Sequence, residues 1–421
     1  MPPQRQLGFV SAVGLVVASM IGSGVFTTSG LLLSDLHTPG RVLAVWLGGG
    51  VLALLGALCY GALARQFPES GGEYLFLMRT VHPAAGYIAG WVSLLVGFSA
   101  PLAAVALAFG EYTKQWLPAG TAPKLTGSCV LAAFAVLHGL HVQRGAWVQN
   151  AGVLIKLLLI VLLLVWAGAH LRPVPLSSAV HVSLGSFAMA LIWVSFSYSG
   201  WNAAAYVGSE VRAPEQNLPR AMALGTGLVT LVYLALNTLF VFAAPVEQLA
   251  GKLEIGRTAA LVLGGTALAD FVTAMVALAL ATCISSMMMA GPRLYARMAD
   301  DGCLPRWFCF PAHGPPRHAI LLQAALALAM LWTATFQSLL TYIGFTLGLC
   351  TAGTVAGLTR LRLKAGPQVK VPGWPWVPGL FMLSVLVMSA FAVARKPGES
   401  AVGLGTLLLG WLAWHLGRAK H

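Results

Sequence analysis

Twelve apolar runs, each bounded by charged or Pro/Gly-rich breaks, organise the chain: 8–33, 42–64, 84–110, 127–142, 147–171, 184–207, 219–243, 259–290, 318–334, 338–359, 374–394 and 400–417. Crossing a bilayer as a helix takes about 20 mostly apolar residues. The apolar residues are continuous rather than amphipathic; from Val153 to Ala169 the only charge is Lys156. Backbone groups in lipid must be satisfied within the segment, which favours helices. The ten-residue alternation of a membrane barrel is absent. The first run, Gly8 to Leu33, exceeds a signal-peptide core and has no clear small-x-small cleavage site, so it reads as a retained first span. The pattern predicts an all-α membrane protein of about twelve transmembrane helices in one transmembrane domain, 1–421.

Composition agrees: 58% of residues are hydrophobic and 9% charged, against roughly 25% charged in soluble domains. The net charge of +13 does not point to nucleic acid, because no basic cluster falls in a module large enough to grip a duplex. Lys and Arg sit in short loops, where they orient the chain. With the N-terminus cytoplasmic, 16 fall on the inside and eight on the outside, with Lys156 within a span. That bias predicts an inner- or plasma-membrane protein with both termini cytoplasmic. The longest polar interval, about Arg293 to Arg317, is too short for an ATP-hydrolysing module, and no GxxxxGK[ST] sequence occurs. Any transport must run on a gradient or on exchange. The six cysteines are scattered and give no disulfide framework; Cys303 and Cys309 lack the second pair a metal site needs. No metal or cofactor is expected.

Two runs contain small polar residues where a plain anchor would be apolar. The first reads Ala18-Ser19-Met20-Ile21-Gly22-Ser23-Gly24-Val25-Phe26, and the sixth reads Ser195-Phe196-Ser197-Tyr198-Ser199-Gly200-Trp201-Asn202. Each glycine costs a helix roughly 1 kcal/mol relative to alanine. One such segment would read as close helix packing through small residues. Two, 177 positions apart from Ser23 to Gly200 and each heading a block of five spans, read differently. An interrupted helix frees N–H groups at one half-helix start and carbonyls at the other half-helix end. A zwitterion can be held there without charged side chains.

These residues resemble the amino acid–polyamine–organocation superfamily, and within it the L-type amino acid transporter family with its bacterial relatives. The resemblance is carried by Ile21 to Phe26, by Pro68-Glu69-Ser70-Gly71-Gly72-Glu73-Tyr74 after the second span, by Phe196 to Asn202, and by Lys156. It implies a LeuT-type fold: a 5+5 inverted repeat (8–171 and 184–359) plus two C-terminal helices (374–417). It further implies that Gly22, Ser23 and Gly24 bind a substrate carboxylate, and that carbonyls near Ile21, Phe196 and Ser199 receive the amino group. Phe196 would close over the substrate beside Gly200, with Tyr198, Trp201 and Asn202 nearby as gating residues. Ser199 stands where the family often has glycine.

Lys156 lies ten residues into its span. A lysine at the bilayer centre costs about 2.5–3.5 kcal/mol, so it should face the interior and have a partner; snorkelling to an interface is the alternative. The resemblance implies that its ammonium stands in the place of a sodium ion and braces the first span near its break, which predicts sodium-independent uptake or exchange. Proton symport through Lys156 stays open. Most acidic residues, Glu73, Glu111 and Glu210 among them, map to loops or span ends, and Asp270 to the outer end of the long eighth run. Without a buried carboxylate the pocket favours neutral substrates over polyamines and basic amino acids. His138 and His141 read as interfacial, with a proton relay as the sharper alternative. A membrane enzyme would need clustered intramembrane His, Asp or Glu, which are not seen. The expected activity is therefore secondary transport of small neutral amino acids, the alternatives being an exporter or a proton-coupled carrier of another small amine. The expected partners are the amino acid and the bilayer. The loop from Glu111 to Leu125 has no cysteine, so no disulfide-linked heavy chain is expected.

Overall fold

The computed structural model describes residues 7–140, 142–170, 182–309, 311 and 315–418, with the side chains of 142–150, 167–170, 297, 417 and 418 excepted. Its helices are α1 Phe9–Met20, α2 Gly24–Leu36, α3 Pro39–Gln66, α4 Gly72–Thr80, α5 Pro83–Val92, α6 Ala100–Thr113, α7 Pro123–Leu140, α8 Val142–His170, α9 Leu184–Tyr198, α10 Pro214–Val241, α11 Val246–Leu249, α12 Ile255–Asp300, α13 Arg317–Thr333, α14 Phe336–Ala365, α15 Trp376–Arg395 and α16 Pro397–Arg418. A π-helix, Ser93–Ser99, joins α5 to α6 as one span. Each of the twelve predicted runs carries helix. Seven helices are long and apolar enough to cross a bilayer, or eight when α1 and α2 are joined, among the described residues. No strand forms among them beyond an isolated bridge from Leu7 to Val211.

The sixth run is shorter as helix than its apolar length suggests. Helix α9 stops at Tyr198, and the chain continues into a 3-10 segment, Ala203–Glu210, rather than a second α half-helix. Helix α12, which carries the long eighth run, departs from helical geometry at Gly264 and Gly265. Asp270 lies beyond that point and is exposed.

Two packed groups of helices flank the site. Helices α1, α2, α3, α9 and α10 pack on one another, as do α6, α7, α12 and α13, with α8 lying on α12. The first group is pinned by a buried polar chain: Trp46 Nε1 donates to Ser29 Oγ at 2.7 Å, and Ser29 Oγ donates to Asn237 Oδ1. The rings of Trp46, Tyr198 and Tyr233 meet with centroids 5.0–5.8 Å apart. Helix α8 turns the soluble-protein pattern inside out. Leu154 is 70% exposed and Val165 70%, while Lys156 is 1% exposed. Only an apolar solvent makes that arrangement stable.

Candidate substrate site

The first span breaks at Ile21–Ser23, where α1 and α2 bend by 42°. Poor helix propensity at Gly22-Ser23-Gly24 explains the position. Gly24 also has a tertiary reason: a Cβ there would overlap Ser197 of α9, so α2 begins in direct contact with the sixth span. The sixth span breaks where Ser199 takes an extended ψ of 144° and Gly200 a φ of +105°. Only glycine holds that conformation readily. A Cβ on Gly200 would also come 2.8 Å from the backbone of Ser19. The two interruptions are therefore in contact.

Their backbone groups are partly claimed by the protein. Lys156 Nζ donates to Ile21 O at 2.6 Å and to Ala18 O at 3.3 Å. An ammonium thus sits at the C-terminal end of α1, where the helix dipole is negative. Phe196 O accepts from the Ser199 N–H at 3.0 Å and from Ser199 Oγ at 2.7 Å. Tyr233 on α10, which the sequence did not single out, reaches both breaks. Its Oη lies 3.0 Å from Ser197 O and also contacts Met20 O. The hydroxyl of Ser23 is buried without a hydrogen-bond partner.

A cavity of about 1440 Å³ extends from the breaks to one face of the protein. Ser19, Lys156, Phe196, Tyr198, Ser199, Gly200, Trp201 and Asn202 line it, whereas Ile21, Gly22, Ser23 and Gly24 stand behind that lining. Gly97 and Phe98 of the π-helix form another wall; such local bulges recur at functional sites. The mouth is marked by Glu69, Arg79 and Asp301. It shares its face with the N-terminal segment, because Leu7 N–H donates to Glu210 O at 3.0 Å and Arg212 N–H to Leu7 O at 2.9 Å. On the opposite face the loops are tied together. Gly251 N–H donates to Gly30 O at 2.8 Å, and Lys114 pairs with Glu111 at 2.9 Å and Glu254 at 3.1 Å.

Two expectations change. Glu73 does lie in the loop after the second span, on α4, yet it is only 4% exposed and lines the cavity. Its Oε1 accepts from Tyr60 Oη at 2.9 Å and from Asn202 Nδ2 at 3.0 Å. The premise that the pocket has no buried carboxylate therefore fails. Burial pushes the Glu73 carboxyl up to about 7 against the pull of its two donors. His138 faces the protein interior. It is buried, with Nε2 2.9 Å from Ser285 Oγ and its ring stacked on Phe134; the apolar length of α7 hid an inward-facing position. His141 lies outside the described residues. Glu111 is half-buried and pairs with Lys114. Among the described residues no group of three or more His, Cys, Asp or Glu is placed to hold a metal.

The model of the family described as "Amino acid permease" matches residues 7–412. The chain is 30% identical to the human "Large neutral amino acids transporter small subunit 2", covering 98% of this chain and 80% of that protein. It is 27% identical to the mouse "b(0,+)-type amino acid transporter 1", covering 94% of this chain and 84% of that protein. Both matches span nearly the whole length of the chain. The chain therefore belongs to the amino acid permease family, a family of membrane transporters with the LeuT fold rather than of enzymes.

Proposed function

We propose that this protein carries small neutral amino acids by sodium-independent uptake or exchange, holding the substrate where α1–α2 and α9 are interrupted. One observation carries the reading: the two breaks meet in space at one cavity, with Ser19 against Gly200 and Tyr233 touching carbonyls of both. The carboxylate of a zwitterion suits the N-terminal end of α2 at Ser23–Gly24, just behind the cavity lining, where the Ser23 hydroxyl lacks a partner while the Gly22 N–H is taken by Met20 O at 2.8 Å. Its ammonium suits the last carbonyls of α9, at Phe196 and Ser199, and Ile21 O shares its capacity with Lys156. Lys156 places an ammonium where a bound cation would otherwise brace the break, which supports sodium independence. A neutral side chain remains the preference despite Glu73, because that carboxyl is engaged with Tyr60 and Asn202.

The group α1, α2, α3, α9 and α10, drawn from both five-helix blocks (8–171 and 184–359), would move against the group α6, α7, α12 and α13, with 374–417 as an addition. The loop charges put both termini in the cytoplasm, which makes the open cavity inward-facing. The residues from Glu111 to Leu125 offer no cysteine for a covalent partner, and we propose that the chain works without one. In detergent, a neutral amino acid should raise the melting temperature, while its N-acetyl and amide derivatives should not. Equal stabilisation by all three would overturn the assignment of both substrate poles.

A further inference from the structure

Glu73 is the buried acid that the transport reading leaves unused. It sits in the first turn of α4, where a helix start favours negative charge. Three other elements meet around it. Tyr60 comes from α3, Asn202 and Tyr206 from the segment after the α9 break, and Cys350 from α14, where Thr354 also reaches Tyr60. None of these facing groups is cationic. Both donors to the carboxyl, Tyr60 and Asn202, fall on Oε1. Oε2 takes neither donor, and the residue lines the cavity that opens to the N-terminal face. A carboxyl without a cationic partner, with both donors on one oxygen and a place in the wall of that cavity, is suited to exchange a proton with that face.

We propose that Glu73 is a cytoplasmic proton-binding site whose charge sets how firmly the segment after the α9 break is held to α3 and α4. Hydrogen bonds to an ionised acceptor are roughly twice as strong as neutral ones. With the carboxylate charged, Asn202 is held against α4 and Tyr60, and the inward-facing arrangement is favoured. With a proton on Oε2, the same two bonds persist at neutral strength and Asn202 is released more readily. Burial, partly offset by the two donors, pushes the carboxyl up to about 7, so ordinary changes in cytoplasmic acidity would act on it. The inference deepens the transport reading and rests on it for the location of the site and for the consequence of releasing Asn202.

The test uses the full-length protein in proteoliposomes, measuring exchange of a labelled neutral amino acid at fixed external pH while internal pH is varied from about 6 to 8 around the expected midpoint. Wild type should change its exchange rate several-fold across this range. Glu73→Gln, which keeps the shape and accepts both bonds without charge, should be flat at the acid-side rate of wild type. Glu73→Asp should keep a pH dependence with a displaced midpoint. A flat wild-type profile, or an unchanged profile in Glu73→Gln, would overturn the proposal. Infrared difference spectra provide a readout that needs no transport: a carboxylic C=O band titrating near pH 7 in wild type and missing in Glu73→Gln. Its absence in wild type sinks the proton site. If the band is present but no amino acid is exchanged, the transport reading fails instead.

Discussion

Replacing Lys156 tests the most exposed link between geometry and transport. Its ammonium satisfies two carbonyls at the end of α1, Ile21 O at 2.6 Å and Ala18 O at 3.3 Å, and the side chain is 1% exposed. Lys156→Met keeps the apolar stem and nearly the volume, so little cavity forms, and the change isolates the charge. Each stranded carbonyl costs about 1–3 kcal/mol, which sets the loss at roughly 2–6 kcal/mol for the ordered break. At about 1.4 kcal/mol per tenfold, the lower bound already predicts about a 30-fold fall in exchange. Counterflow in proteoliposomes, normalised to inserted protein, measures it, with size-exclusion profiles showing that the variant still inserts as a discrete species. Exchange within about twofold of wild type, a difference of some 0.4 kcal/mol, would refute the idea that this ammonium supports the break.

The same geometry sets three other outcomes. Tyr233→Phe removes the hydroxyl that touches Ser197 O and Met20 O; about 1–2 kcal/mol of lost support predicts a 5- to 30-fold slower exchange at about 1.4 kcal/mol per tenfold, read by counterflow. Gly200→Ala places a Cβ 2.8 Å from Ser19 backbone at a φ of +105°, so a thermal-shift assay should show a melting temperature lowered by several degrees together with loss of substrate-induced stabilisation. For Glu73 the folded-state value, about 7, lies above the ordinary 4.5. Its stabilising contribution is full below pH 4.5 and disappears as pH rises through 7. The melting temperature of Glu73→Gln should therefore gain on wild type between pH 5 and 8, by the equivalent of roughly 3 kcal/mol at most; a constant difference across that range contradicts the burial argument.

Much of the architecture is written in local pattern. A run such as Val153–Ala169 is long and apolar enough to become helix in lipid whatever its neighbours do. The Gly-Ser-Gly and Ser-Gly-Trp segments are equally legible, because a break depends on the conformational cost of the residues at that point. That Lys156 needs an interior partner also follows from its depth alone. The sixth span shows the limit: its residues mark the break after Tyr198, but not the 3-10 path the chain takes beyond it.

Neighbourhood is a different kind of information. Tyr233 reads as one aromatic among many in an apolar run, and only the packing of α10 against α1 and α3 brings its hydroxyl to both breaks. Glu73 reads as a loop acid, yet the loop helix packs against α3 and the α9 break and leaves the carboxyl nearly buried in the cavity wall. His138 is hidden by the same logic, its rotational setting on α7 being decided by a hydroxyl on α12 at Ser285. One-dimensional pattern governs where a helix forms and where it fails, since those energies are summed along the chain. Which side chains meet across helices depends on crossing geometry and rotation about each axis, and these are settled only when all the helices pack together.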